Sequence, residues 1–198
     1  MKTALPKRFA FAAEAVAIGA SAGGIDALFT LLDDLQPPMA APIIIVLHLP
    51  EDHESRLVQV FAQRTRVPVH EAQPGAPAAP GAVYFAPPGY HLLVETDRTF
   101  ALSCDPPVLF SRPSIDVMME SCAETYGPGL LGMVLTGANE DGAAGLATIK
   151  ARGGLTAVQD PAEALHATMP NAAIAAADPD FVLPLAGLHR LLHTVACR

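Results

Sequence analysis

Unbroken apolar runs alternate along this chain with segments whose apolar positions recur every three or four residues. Ala15-Val16-Ala17-Ile18, Ile43 to Leu47, Leu130 to Leu135 and Leu155 to Gln159 are of the first kind. Short continuous runs of this type predict strands covered on both faces, as in a parallel sheet. Gly24 to Leu35 is of the second kind, with Leu28, Leu31, Leu32 and Leu35 on one face and Pro37-Pro38 as its stop. Glu54 to Arg64 repeats the pattern with Leu57, Val58 and Phe61 turned inward. Ser114 to Tyr126 predicts a helix capped by Ser114, and Gly142 to Arg152 one ended by Gly153-Gly154. Asn171 to Ala177 and Leu185 to Ala196 predict two more helices, with a strand or edge segment over Phe181 to Leu185 between them.

The middle of the chain breaks this rhythm. Val67 to Glu71, Ala82 to Ala86, His91 to Glu95 and Phe100 to Ser103 are short strand candidates separated by Gly and Pro turns, and they predict an antiparallel or ribbon-like excursion. Pro74 to Gly81 reads as a loop inside the domain, since strand signals resume at once after it. Strands alternating with helices elsewhere predict an α/β fold: a doubly wound, mostly parallel sheet with helices on both faces. Residues 1–13 read as a poorly ordered lead-in and residues 14–198 as a single domain.

Composition narrows what such a domain does. Half of the 198 residues are hydrophobic and 16% are charged, enough to bury a large core. The net charge of −8, with no Lys/Arg run, argues against a nucleic-acid partner. An acidic substrate would need a local basic spot, and Arg112 is the candidate; a structural ion pair is its other reading. Three cysteines without CxxC spacing argue against a disulfide framework or a zinc site, predict small buried or half-buried residues and suit a reducing cytosol. Lys2, Lys7 and Arg8 before Phe9 to Ala20 imitate a signal peptide, but Glu14 interrupts the apolar region and the run leads straight into a glycine-rich motif. A cytoplasmic location is therefore expected, without membrane insertion. His189 and His193 are spaced i, i+4 but have no third ligand nearby in sequence, so no metal is expected.

Ligands of doubly wound sheets sit beyond the carboxyl ends of the strands. Three loops there carry groups for acyl chemistry. Gly19-Ala20-Ser21-Ala22-Gly23-Gly24 matches G-x-S-x-G between strand and helix, where a sharp turn exposes the hydroxyl and a helix N-terminus faces developing negative charge. A serine cap after a glycine turn, or a phosphate cradle, are the competing readings; the spacing is not G-x-G-x-x-G and no P-loop lysine follows. His48 follows the strand Ile43 to Leu47, the place for a general base, though a lone loop histidine would carry no task. Asp141, in Thr136-Gly137-Ala138-Asn139-Glu140-Asp141-Gly142, is placed to accept the Nδ1–H of His48 or to cap the helix after it, with Glu140 as the competing carboxylate. The order Ser, His, Asp differs from the Ser, Asp, His of α/β-hydrolases.

Taken together, these motifs resemble the catalytic domain of the CheB-type chemotaxis methylesterases. That family has a Gly-Ala-Ser-x-Gly-Gly turn, a His-x-Pro and a late Thr-Gly-x-x-x-Asp-Gly, all present here in order. Ala86-Pro87-Pro88-Gly89, Arg112-Pro113-Ser114-Ile115-Asp116-Val117, Gln159-Asp160-Pro161-Ala162-Glu163-Ala164 and Met169-Pro170-Asn171-Ala172-Ala173-Ile174 extend the likeness over roughly residues 15–195. The resemblance implies a Rossmann-like sheet and a metal-free, nucleotide-free serine hydrolase with Ser21, His48 and Asp141 as its triad. It also implies backbone N–H groups at Ala22 and Ala138 as oxyanion donors. The implied partners are methyl-accepting chemotaxis receptors or similar signalling proteins, demethylated at glutamate γ-methyl esters and deamidated at glutamines. Ala22 stands where many members have Thr, Ala138-Asn139 where many have Met-Gly, and His166-Ala167-Thr168 where a Tyr-Pro-Gly-like segment is frequent. The chain leaves no room for the N-terminal receiver domain typical of the family. An esterase or amidase of another signalling system, or a catalytically silent adaptor, are the alternatives.

Overall fold

The computed structural model describes residues 11–49 and 56–196. Seven parallel strands form one sheet, in the order 69–71, 83–85, 43–47, 15–20, 130–134, 155–159 and 181–183, and the strands 91–94 and 100–103 form a separate antiparallel pair. The elements run β1 (Ala15–Ala20), α1 (Gly24–Leu31), β2 (Ile43–Leu47), α2 (Leu57–Ala62), β3 (Val69–Glu71), β4 (Val83–Phe85), β5 (His91–Val94) and β6 (Phe100–Ser103). They continue as α3 (Ile115–Tyr126), β7 (Leu130–Val134), α4 (Ala143–Ala151), β8 (Leu155–Gln159), α5 (Thr168–Ala177), β9 (Phe181–Leu183) and α6 (Leu185–Ala196). Among the described residues, no helix is long and apolar enough to cross a membrane.

The unbroken apolar runs are explained by two cores, one on each face of the sheet. Val16, Ile18, Ile43, Ile45 and Leu47 point to the layer of α1, α2 and α6. Their strand neighbours Ala15, Ala17, Ile44 and Val46 point to α3, α4, α5 and the β5–β6 pair. Every residue of β1 and β2 is buried, so each isoleucine contributes roughly 1.5–3 kcal/mol of transfer free energy. The strand order reverses at β1, which is flanked by β2 on one side and β7 on the other. A crevice at the carboxyl ends of these three strands is the expected ligand position for such a sheet.

Two expectations change in detail. Of the four middle strands, only His91–Val94 and Phe100–Ser103 make the antiparallel excursion; β3 and β4 join the main sheet in parallel. A short apolar run carries no sign of strand direction, and a parallel neighbour needs a long crossover. Residues 72–82 provide that crossover, and Pro77 bridges to Thr99 on the way. The first helix ends at Leu31 and not at Leu35, well before Pro37-Pro38. Asp34 turns left-handed at φ 51°, yet Leu32 and Leu35 remain buried, so the apolar spacing outlasts the helix. The second helix starts at Leu57; Glu54, with residues 1–10, Pro50, His53 and Cys197, lies outside the described residues.

Candidate active site

Ser21, His48 and the loop 136–141 follow β1, β2 and β7, three adjacent strands of one sheet, so their proximity is set by the sheet itself. The register pairs Ala20 with Leu47, and His48 N–H donates to Ala20 O at 3.0 Å. Ser21 and His48 thus leave neighbouring strands at the same level. Both line one open cleft of about 390 Å³, together with Ala22, Asp26, Leu49 and Leu165. Its size lies within the range of small-molecule and side-chain sites.

The turn after β1 is sharp. Gly24 N–H donates to Ser21 O at 2.7 Å, and Gly23, at φ 80°, caps α1 in the left-handed conformation. Thr136 clamps this elbow from beneath: its carbonyl accepts Ser21 N–H at 3.0 Å and its hydroxyl donates to Ala22 O at 2.9 Å. Buried Gln159 holds Thr136 in turn, its Oε1 accepting Thr136 N–H at 2.8 Å. Among the described residues, no hydrogen bond takes up the N–H of Ala22 or of Ala138.

His48 and Asp141 meet, but through the other ring nitrogen. His48 Nε2, not Nδ1, lies 2.9 Å from Asp141 Oδ2, with Asp141 fully buried. Oδ2 also accepts Ile115 N–H at 2.7 Å, and Oδ1 accepts Asp116 N–H at 2.9 Å and the Ser114 hydroxyl at 2.9 Å. Four donors fill the acceptor positions of this carboxylate. Two of them are the first N–H groups of α3, whose positive end faces the anion. Burial pushes the Asp141 carboxyl up, but the bonds from His48, Asp116 and Ile115 outweigh it and hold it below the usual range.

Asp141 therefore caps a helix, though not the one that follows it. The N-cap of α4 is Gly142, and Gly142 N–H and Gly145 N–H donate to Asp116 Oδ1 at 2.9 and 2.7 Å. The two aspartates cap each other's helices crosswise. Burial, with the Asp141 charge adding to it, raises the Asp116 carboxyl to about 6 against the bonds from Gly145 and Gly142. The close approach of α3 needs Gly19, because a Cβ there would collide with Ile115. Glu140 is exposed and takes no part in the contact with His48.

The outer side of His48 differs. Its Nδ1 faces Ser111 Oγ at 3.4 Å, and Asn139 Nδ2 donates to the same hydroxyl at 3.4 Å. No hydrogen bond joins Ser21 to His48 among the described residues. Arg112 lies outside the cleft, in an adjoining pocket with Leu49, Leu57 and Pro88. Its Nη1 donates to the carbonyls of Cys104 and Asp105 at 3.0 and 3.2 Å, while its buried Nε has no partner among the described residues.

Reading the sequence passed over several members of this site. Ser114 and Asp116 stood there only as a cap and a motif letter, and Ser111 not at all. His91, there only the start of a strand candidate, is buried; it accepts Ser114 N–H at Nδ1 (3.1 Å) and contacts Pro106 O through Nε2 at 3.2 Å. His189 and His193 stack at 4.3 Å and meet the carbonyls of Leu31 and Asp33, not a metal cluster. Among the described residues, no group of three or more His, Cys, Asp or Glu is placed to hold a metal ion. Cys122 is buried and its thiol pushed up to about 12 by burial, whereas Cys104 is exposed, contrary to the buried role expected of it.

Known proteins match most of this architecture. The family model of the CheB methylesterase matches residues 16–192. A putative protein-glutamate methylesterase/protein-glutamine glutaminase of Leptospira interrogans is 46% identical over 172 residues, which are 87% of this chain and 89% of that protein. The protein-glutamate methylesterase FrzG of Myxococcus xanthus is 38% identical over 170 residues; these are 86% of this chain but only 51% of that protein, so the chain spans about half its length. The crystal structure of the Thermotoga maritima CheB methylesterase catalytic domain superposes with a TM-score of 0.87 at 29% identity, covering 91% of this chain and 97% of that one.

Proposed function

The chain belongs to the CheB methylesterase family, and from that premise we propose that it hydrolyses glutamate γ-methyl esters of a signalling protein, with Ser21, His48 and Asp141 as its triad. The observation that carries this reading is the buried Asp141 holding Nε2 of His48 on the wall of a cleft that Ser21 shares. Ser21 Oγ attacks the ester carbonyl while His48 Nδ1 takes its proton. Asp141 fixes the tautomer and stabilises the imidazolium. The free N–H groups of Ala22 and Ala138 hold the oxyanion, next to the N-terminus of α1. Methanol leaves with the proton from His48, and water cleaves the acyl-enzyme by the same route. A glutamine side chain enters the same cycle, with ammonia as the leaving group. The guanidinium of Arg112, in the pocket that adjoins the cleft, supplies positive charge for an acidic flank of the substrate.

The partner that fits is a methyl-accepting receptor's cytoplasmic domain, met in the cytoplasm. The test is methanol release from carboxyl-methylated receptor fragments by the wild type, Ser21→Ala and His48→Ala. Each variant is expected to lose at least ~10⁴-fold in kcat with its fold intact by circular dichroism. Absence of release by folded wild type on several receptors would sink the reading.

A further inference from the structure

Beside His48 lies a turn whose backbone and side chains both run against ordinary preference. Val108 and Ser111 exchange backbone hydrogen bonds, Val108 N–H to Ser111 O at 3.1 Å and Ser111 N–H to Val108 O at 2.8 Å. Between them stand Leu109 and Phe110, with φ of 47° and 63°. Two left-handed residues in a two-residue hairpin are the natural place for Asn-Gly or Asp-Gly. A leucine and a phenylalanine are strained there, and strain of this kind gathers at functional edges. Their side chains gain little from the fold either: Phe110 is 101% exposed and Leu109 45%. Two independent costs thus fall on the same two residues, a left-handed backbone and exposed apolar side chains.

The turn is anchored to the catalytic groups. Ser111, which closes it, sits 3.4 Å from His48 Nδ1. On the Ser21 side of the cleft the rim is also apolar: Leu165 is 72% exposed and Ile25 40%, and both line the cleft with Ser21. A methylated glutamate carries no charge, so an apolar rim at Leu165 and Ile25 suits its approach to Ser21.

We propose that the Leu109–Phe110 tip is the docking element for the protein substrate, gripping apolar residues one turn away from the esterified glutamate on an amphipathic helix, with Leu165 on the other flank. The proposal rests on the methylesterase reading above. A helix fits because residues three and four apart share one face, which sets an ester and an apolar neighbour side by side. The tip lies outside the catalytic machinery, so it acts on protein substrates and not on small esters.

The experiment compares the wild type with Phe110→Ser and with the double variant Leu109→Asn/Phe110→Gly. Three readouts are methanol release from methylated receptor fragments, hydrolysis of p-nitrophenyl acetate, and melting temperature; sedimentation velocity gives the association state. Both variants are expected to raise KM for the fragments roughly tenfold, as loss of an aromatic anchor does, and to keep small-ester turnover within about twofold. The double variant is expected to melt higher than the wild type, because Asn-Gly relaxes the turn. Unchanged KM in both variants, with methanol release intact, overturns the docking role alone. A wild type that is dimeric while both variants are monomeric assigns the tip to self-association and overturns it as well. A wild type that cleaves the small ester but releases no methanol ends the methylesterase reading, and the docking role with it.

Discussion

The two sides of the His48 ring are built on opposite terms. On the Nε2 side, Asp141 is fully buried and receives four donors, from His48, Ile115, Asp116 and Ser114. Two helices end there, each capped by the aspartate that neighbours the other. On the Nδ1 side stand an exposed turn, a hydroxyl at 3.4 Å, unengaged N–H groups and an open cleft. On the proposed mechanism, the difference means that the base is oriented during folding, by groups that do not line the cleft. On the same proposal, the N–H groups of Ala22 and Ala138 stay free for an ester, since a donor already satisfied within the protein has nothing to offer an oxyanion.

The strongest way to break this comparison is Asp141→Asn. An asparagine presents one acceptor and one donor to a site that offers four donors, so the His48 tautomer and both helix ends are disturbed together. Activity is expected to fall by ~10³ to 10⁴-fold, and a denaturant melt should show a loss of about 2–4 kcal/mol. A loss of less than tenfold in kcat would mean that the buried side does not prepare the base.

Asp116→Asn tests the other half of the crossed pair. Asp116 titrates at about 6 in the folded protein against 3.8 ordinarily. The folded state therefore holds a proton that the unfolded chain has released between about pH 4 and 6. The contribution of this group to stability falls as pH rises through that window. Asparagine keeps an acceptor for Gly142 and Gly145 without the charge. The melting temperature of the variant, relative to wild type, is expected to climb from pH 4 to 6 and then level off. Parallel curves across that range would show that burial does not raise the Asp116 carboxyl. Asp141, held low, acts in the opposite sense: its contribution is lost as pH falls below the ordinary carboxylate range.

Ser111→Ala sharpens the comparison on the open side. A contact of 3.4 Å is at the weak end of hydrogen bonding, worth less than ~1 kcal/mol. Removing it is expected to change kcat/KM on a small ester by no more than about threefold, upward, as Ser21 loses a competitor for Nδ1. A loss as large as that of Ser21→Ala would make Ser111 the nucleophile, and mass mapping of a covalent serine probe would place the label there.

Much of this was legible along the chain. The apolar runs over Ile43 to Leu47 and Leu130 to Leu135 became central strands, and Ser114 capped α3 where it stood. Three strand-end loops with Ser21, His48 and Asp141 were enough to point to one crevice, because parallel strands deliver their carboxyl ends to the same edge. Other features were not legible. The residues 67–71 and 82–86 gave no sign of direction, and their parallel pairing with β2 and with each other belongs to the tertiary structure. Asp141 next to Gly142 looked like the cap of the following helix, by the local rule; the sheet instead brought α3 across β1 and turned the carboxylate to it.

By itself, then, the sequence determined what repeats locally: which segments are strands or helices, and which residue types stand where each strand ends. Hydrophobic period and glycine turns act over a few residues, and they are written in order. The tertiary structure alone decided the pairings across the chain: Nε2 of His48 on Asp141, Asp116 on α4, Ser111 beside the base and the bare tip at Phe110. Hydrogen bonds are directional and short-ranged, so their partners depend on how helices pack over the sheet, which no spacing along the chain encodes.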